Sequence, residues 1–270
     1  MSYFHSMNST LLLPQELEPF RRDILITQTA FVEIIPYEAG KTDWWQSKIG
    51  GLPYLPHTVP FPTAPNGREL FFLAQINFEE VPAFEQFPES GILQFYVADD
   101  TKFGKNSKSP ELQEKFRVLY FAEPDRNINH LTTDFKFLPK YKTTPVKPNI
   151  SYPIEFEIYE EMMPISDYQF AQTFGNQFFK QFGDRQYELQ LEYAEEISSA
   201  GHKMGGYADF AGEDPRPCDA DEPMMLLFQL DSDAEIGCHW GDFGVANFFI
   251  RPSDLEKRDF SKILYHWEAQ

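Results

Sequence analysis

"KIGGLPYLP" at Lys48–Pro56 and "KMGGYADFA" at Lys203–Ala211 repeat a lysine, one apolar residue and a glycine pair, 155 positions apart. The likeness continues in the same order. "FFLAQI" (Phe71–Ile76) matches "MLLFQL" (Met225–Leu230) at an offset of 154, and "GILQFYV" (Gly91–Val97) matches "GVANFFI" (Gly244–Ile250) at 153. "VLYF" (Val118–Phe121) matches "ILYH" (Ile263–His266) at 145. Ordered blocks at near-constant spacing indicate an internal duplication. One domain over 1–270 is expected, made of repeats at about 30–125 and 200–270 joined by a helical connection at about 165–200. The last offset places a longer connection in the first repeat, after Asp99.

The blocks alternate as strands do. Phe72, Ala74 and Ile76 share one face, Leu73 and Gln75 the other, with Leu226, Phe228 and Leu230 in the matching places. Both faces are largely apolar, which predicts strands covered on both sides. Gln75 and Gln229 recur at one depth, and Gln94 and Asn247 one strand later. Buried carboxamides need partners, so each is expected to tie down the backbone of a neighbouring loop. The glycine pairs read as copied turns that need positive φ or a close backbone approach. The lysines beside them are either solvated turn residues or, alternatively, groups reaching into a shared site.

Helices are expected at Pro14–Leu25 and Arg185–Ser199, with a strand at Ala30–Ile35 between the first helix and the first repeat. In the second helix Tyr187, Leu191 and Ala194 are taken to point inward, and Gly201 to stop it. Phe170, Phe174, Phe178 and Phe182 fall at four-residue steps and predict another helical stripe. Leu52–Pro65 carries too many prolines for regular structure and reads as a rigid loop. The fold class is therefore α+β, internally duplicated, with mainly antiparallel sheet units and peripheral helices.

Composition narrows the function. Residues 1–150 hold 18 acids and 15 bases, and residues 151–270 hold 24 acids and 8 bases, so the halves carry −3 and −16. Such a field repels phosphate backbones and argues against nucleic acid. Residues 102–148 run the other way, with ten bases against five acids, and read as a solvated loop region facing the acidic half. No apolar run approaches the length of a membrane span. The opening "MSYFHSMNSTLLLPQEL" has no basic leader region, and the two cysteines, Cys218 and Cys238, make no disulfide framework. A cytoplasmic protein is the expectation.

Phosphate-cradling glycine loops, the nucleophile elbow, HExxH and CxxC are all missing. "DSDAEIGCHWGD" (Asp231–Asp242) places Asp231, Asp233, Glu235 and Asp242 at positions one, three, five and twelve of a calcium-type loop. Ile236 stands where the sharp turn of that loop needs glycine, and strands flank it instead of helices. Cys218, Cys238 and His239 lack the fourth ligand and close pairing of a zinc site. No metal and no cofactor is assigned.

Lys48–Pro56, "FFLAQINF", "GILQFYV", "LLFQLDSD", "WGDFGVANFFI" and the closing "LYHWE" together resemble the YwqG family of uncharacterised bacterial proteins, from about Pro14 to the end. The glycine turn and the "FLAQI" block are also distantly similar to the programmed cell death protein 2 group, whose eukaryotic members are dedicated partners of a ribosomal protein. The zinc-binding cysteines of that group are missing here. Some bacterial relatives are suspected to be immunity proteins of toxin systems. The resemblance implies a duplicated antiparallel α+β fold and supplies no catalytic residues.

The expected function is a non-enzymatic module that holds one protein partner with a basic surface. Asp214, Asp219, Asp221 and Glu222 are its candidate contacts, with Lys48 and Lys203. The alternative is an enzyme acting on a small substrate in a cleft between the repeats, with Asp231, Asp233, His239, Gln75 and Gln229 around it.

Overall fold

Short apolar and aromatic segments bounded by glycine, proline and aspartate form ten strands. They are β1 (Thr29–Pro36), β2 (Lys48–Gly50), β3 (Phe71–Asn77), β4 (Ile92–Val97), β5 (Phe116–Phe121), β6 (Ser151–Glu161), β7 (Lys203–Gly205), β8 (Met225–Asp231), β9 (Val245–Ile250) and β10 (Leu264–Glu268). The computed structural model describes residues 11–269. Met1–Thr10, part of the opening stretch read above for a leader, lies outside them.

All pairings are antiparallel, in the order β10-β9-β8-β7-β1-β6-β2-β3-β4-β5, and the sheet curls into a nearly closed barrel. Its centre is an exchange. β1 precedes β2 in the chain but lies beside β7, and β6 precedes β7 but lies beside β2. The two long strands pair with each other along their length, from Thr29↔Glu161 to Pro36↔Ile154.

Aromatic rings fill the interior. Phe95 stacks on Phe228 at 4.4 Å, Phe248 on Tyr265 at 4.6 Å, and Phe116 meets Tyr265 at 5.0 Å. One apolar cluster thus joins side chains from both ends of the chain. The end strands β5 and β10 are bridged by the segment before β5. Pro110 O accepts from Tyr265 N–H (3.0 Å), Gln113 Nε2 donates to Phe260 O (2.7 Å), and Lys105 Nζ donates to Trp267 O (2.6 Å). Part of the lysine-bearing stretch therefore seals the barrel and is not simply solvated.

The face assignment of β3 and β8 differs from the alternation in the sequence. A bulge sits between Phe72 and Ala74, and another between Leu226 and Phe228. An extra residue in one strand reverses the phase beyond it. Leu73 and Ala74 consequently both face the core, as do Leu227 and Phe228, while Phe72 and Leu226 join Gln75 and Gln229 outside. Register also moves the last block. Leu119 stands opposite Gln94 and His266 opposite Asn247, which makes the structural offset 147 and not 145.

Helices of the N-terminal segment and of the connection between β6 and β7 pack around a second apolar cluster. The first is α1 (Arg21–Ile26), entered through a 3-10 turn at Glu18–Phe20, shorter than the stretch expected from Pro14. The phenylalanine stripe is not one helix. α2 (Tyr168–Phe174) ends at Gly175 with φ +90°, and Phe178–Arg185 continues as 3-10 turns. Its rings still gather on each other, Phe174 and Phe178 at 5.2 Å. α3 spans Gln186–Glu196 and stops five residues before Gly201. α4 (Pro252–Glu256) follows β9. No described helix is long and apolar enough to cross a membrane.

The exchange predicts that the halves are interdependent. A fragment of residues 1–150 keeps β1 but loses both of its neighbours, β6 and β7. Expressed separately, 1–150 and 151–270 are expected to lack cooperative melting by calorimetry; two soluble halves that each melt cooperatively would contradict this.

Candidate functional site

The two glycine turns set the site. Gly50 and Gly51 have φ +68° and +77°, and Gly205 and Gly206 have +69° and +65°. A Cβ on Gly206 would also lie 2.8 Å from Phe31 Cβ, so the left-handed backbone and the close approach both call for glycine there. The following residues are then caught by the buried amides. Gln75 Oε1 accepts from Tyr54 N–H (2.9 Å) while its Nε2 donates to Trp44 O and Gln46 O, both 2.9 Å. Gln229 repeats the pattern: Oε1 accepts from Asp209 N–H (2.8 Å), and Nε2 donates to Ser199 O (2.9 Å) and Gly201 O (2.8 Å). Gln94 Nε2 donates to Tyr54 O (2.7 Å), and Asn247 Nδ2 donates to Asp209 O (2.8 Å). The amides tie down loop backbone, as expected from their depth.

What the clamps hold differs. Tyr54 is buried, its ring edge-on to Phe121 at 5.1 Å and its hydroxyl accepting from Asp125 N–H (2.7 Å). Asp209 instead turns a half-buried carboxyl into a pocket of about 610 Å³. Ile197, Ser198 and Ser199 border it with Phe210, Pro164 and Ile165 face them, and α3 supplies Tyr187, Gln190, Leu191 and Ala194. Those four positions share one helical face. Burial pushes the Asp209 carboxyl above its usual range, and nearby Asp231 adds to the rise.

This corrects the inward face read for α3. Leu189 and Tyr193 are its buried residues, whereas Tyr187 is 71% and Leu191 65% exposed. The helix has two apolar stripes, and the core takes the other one. Asp209 was missed by sequence reasoning. The signal was present in "GGYADF", which sets an acid near the place where "GGLPYL" has a tyrosine.

Lys48 and Lys203 are not turn residues in water; each is 1% exposed on a short strand. β1 and β6 separate them. Lys203 Nζ pairs with Glu161 at 2.6 Å, and Lys48 Nζ donates to Asp43 O at 2.7 Å. Burial draws the Lys203 ammonium down and raises the Glu161 carboxyl, against their mutual attraction. Burial also pulls Lys48 from 10.5 to about 8, with Asp43 and Glu80 opposing.

The candidate acids separate into two kinds. Asp214 is closed in with Asp167 on Arg216, whose Nη2 lies 2.6 and 2.7 Å from them, and Glu222 accepts from Ser253 N–H and Oγ at the start of α4. Asp219 and Asp221 are exposed. Asp231 accepts from Gly201 N–H (3.0 Å). His202 Nδ1 accepts from Asp231 N–H, so its proton sits on Nε2, which donates to Asp233 Oδ2 at 3.1 Å. His239 is exposed, and its backbone N–H donates to Pro145 O. Asp231–Asp242 is thus a hairpin connection, closed by paired bonds between Asp233 and Cys238. Among the described residues no three His, Cys, Asp or Glu side chains converge as a metal site.

Residues 47–269 match the family described as "Domain of unknown function (DUF1963)". The chain belongs to this family. YwqG-like proteins are members of it too, which accounts for the resemblance in the sequence. No curated protein matches the chain.

Two stability measurements test the buried lysines. Glu161→Leu strands the Lys203 ammonium and is expected to cost about 3–5 kcal/mol in urea unfolding, with Lys203→Met in the same chain restoring at least half. For Lys48 the unfolded chain keeps a proton up to its ordinary 10.5 that the folded chain releases near 8. The unfolded state binds more protons in that window, so stability rises with pH across it. Relative to Lys48→Met, the parent protein should gain about 3 kcal/mol between pH 7 and 10.5; a flat difference would show that Lys48 is not desolvated.

Proposed function

We propose that this protein is a non-enzymatic binding module whose second half holds one basic protein partner, with a segment of that partner lying in the groove along α3. The observation that carries the reading is the second apolar stripe of α3, left open beside a pocket in an acidic half. Tyr187, Leu191 and Ala194, at i, i+4 and i+7 with Gln190 between them, give that side of the groove an apolar surface against which a peptide segment can lie. The −16 of residues 151–270 favours a cationic occupant and repels an anionic one. The unpaired cysteines Cys218 and Cys238 fit a reducing cytoplasm as its setting.

The same reading includes an internal duplication, with β1–β5 and β6–β10 as its two units. Support comes from the bulges in β3 and β8 and from the two glutamine clamps. It also comes from Ser47 Oγ, which accepts from Asn77 N–H where His202 Nδ1 accepts from Asp231 N–H. Within this pairing the first unit fills its clamp with Tyr54 and the second opens it with Asp209, so binding is assigned to the second unit. No observation favours the enzyme alternative, since aromatic rings occupy the space between the units.

Affinity capture with the full chain at roughly 50 mM and 500 mM salt tests the proposal, because exposed charge pairs weaken as screening shortens their range. The expected partner is basic, is retained less at high salt, and is lost with the Tyr187→Glu, Leu191→Glu double variant. An acidic partner, or one indifferent to that variant, would sink the idea.

A further inference from the structure

The slot beside Arg117 and Arg258 at the barrel seam is widely open, with Val118 N–H already taken by Gln113 Oε1. The small recess at Arg68 is closed by the Arg68–Asp99 ion pair. Asn247 Oδ1 is buried without a partner because Phe249 stands where Tyr96 gives its hydroxyl to Gln94 Oε1. That oxygen belongs to the clamp already described. Asp209 is different.

Its backbone is fixed on both sides by Gln229 and Asn247, so the loop is not free to carry the side chain elsewhere. Its carboxyl makes no ion pair with any described residue. The cation that acts on it, Lys203, is committed to Glu161 at 2.6 Å. The other charges acting on it, Asp231 and Glu268, are negative. A carboxyl partly removed from water is costly unless a cation or donor meets it. Only the Phe210 N–H and the already paired Lys203 favour its charge, against burial, Asp231 and Glu268, and the side chain lines a largely apolar pocket with no cation of its own.

We propose that Asp209 is the anchor for a single lysine or arginine side chain of the bound segment, whose apolar neighbours lie along Tyr187, Leu191 and Ala194. This rests on the partner reading above and deepens it. The alkyl stem of such a side chain covers apolar surface while its charged head meets the carboxyl. The exposed Tyr187 ring at the rim adds a face for the same cation. A pocket of about 610 Å³ takes more than one side chain, which fits a short segment with one basic residue between apolar ones.

The test uses the full chain, nitrogen-15 labelled, titrated with acetyl-Leu-Arg-Leu-amide and with the same peptide carrying citrulline, which keeps the shape without the charge. The expected result is a shift of the amide signals of Ser199, Asp209 and Leu191, with the arginine peptide binding at least about tenfold tighter. Asp209→Asn should bring that ratio to about one without lowering the melting temperature, since the side chain makes no ion pair in the fold. Glu38→Gln, at an exposed acid of the first half, should leave the ratio unchanged. Equal binding of the two peptides, signal changes confined to other regions, or a preference that survives Asp209→Asn would overturn the inference. A basic partner captured through Tyr187 and Leu191 yet indifferent to Asp209→Asn overturns this inference alone. The expected peptide result without any such partner supports it and overturns the partner reading.

Discussion

Both loops that matter in this protein hang on a primary amide removed from water. Gln75 and Gln229 are fully buried, and an amide in that position needs its oxygen and both N–H groups met by protein. Each meets the requirement by gripping three backbone groups, two from the segment before the lysine strand and one from the segment after the glycine turn. Releasing one leaves several buried polar groups unpaired at once, each worth about 1–3 kcal/mol. That is why the turns must be glycine, why the short strands β2 and β7 stay in place, and why the residue beyond each turn has a fixed position.

The second constraint is topological. Because β1 and β6 lie beside the opposite groups of strands, neither four-strand group has both of its edges within its own half of the chain. The barrel then closes through rings, Phe116 against Tyr265 and Phe95 against Phe228, and through the strap before β5. Contacts of this kind are long in sequence, and they couple the acidic half to the more neutral one. A rigid frame on one side lets the helical layer on the other keep a groove open without loosening the core.

Much of the architecture was legible in the chain. Antiparallel strands with peripheral helices, apolar cover on both faces, and amides reserved for loop backbone all follow from pattern and from the chemistry of burial. The misses have local causes. A bulge cannot be seen in a two-residue alternation, which puts Phe72 on the face of Ala74 and Leu226 on the face of Phe228, where the structure separates them. Charge next to a glycine pair suggests a solvated turn or a group reaching into a shared site, and neither describes Lys48 and Lys203; here the strand precedes the turn, and burial follows from β1 and β6 lying alongside. α3 has two apolar stripes of similar strength, and periodicity alone does not say which one meets the core. Its packing partners, Phe170 and Phe179 around Tyr193, sit in a segment broken at Gly175, which the four-residue spacing of phenylalanines concealed.

The site was the least legible part because it arises from a difference between two similar places. A tyrosine in the clamp adds ring area to a core, packing with Phe121 and satisfying Asp125 N–H. An aspartate in the clamp adds neither. It keeps a carboxyl where burial disfavours its charge and leaves a cavity beside an exposed tyrosine and leucine. Each of those features lowers stability taken alone, and together they line one pocket. Local choices that oppose folding but converge in space are the usual mark of a place kept for something outside the chain. In this molecule the convergence occurs once among the described pockets, within the more acidic half of the chain, on a loop whose backbone is held by Gln229 and Asn247.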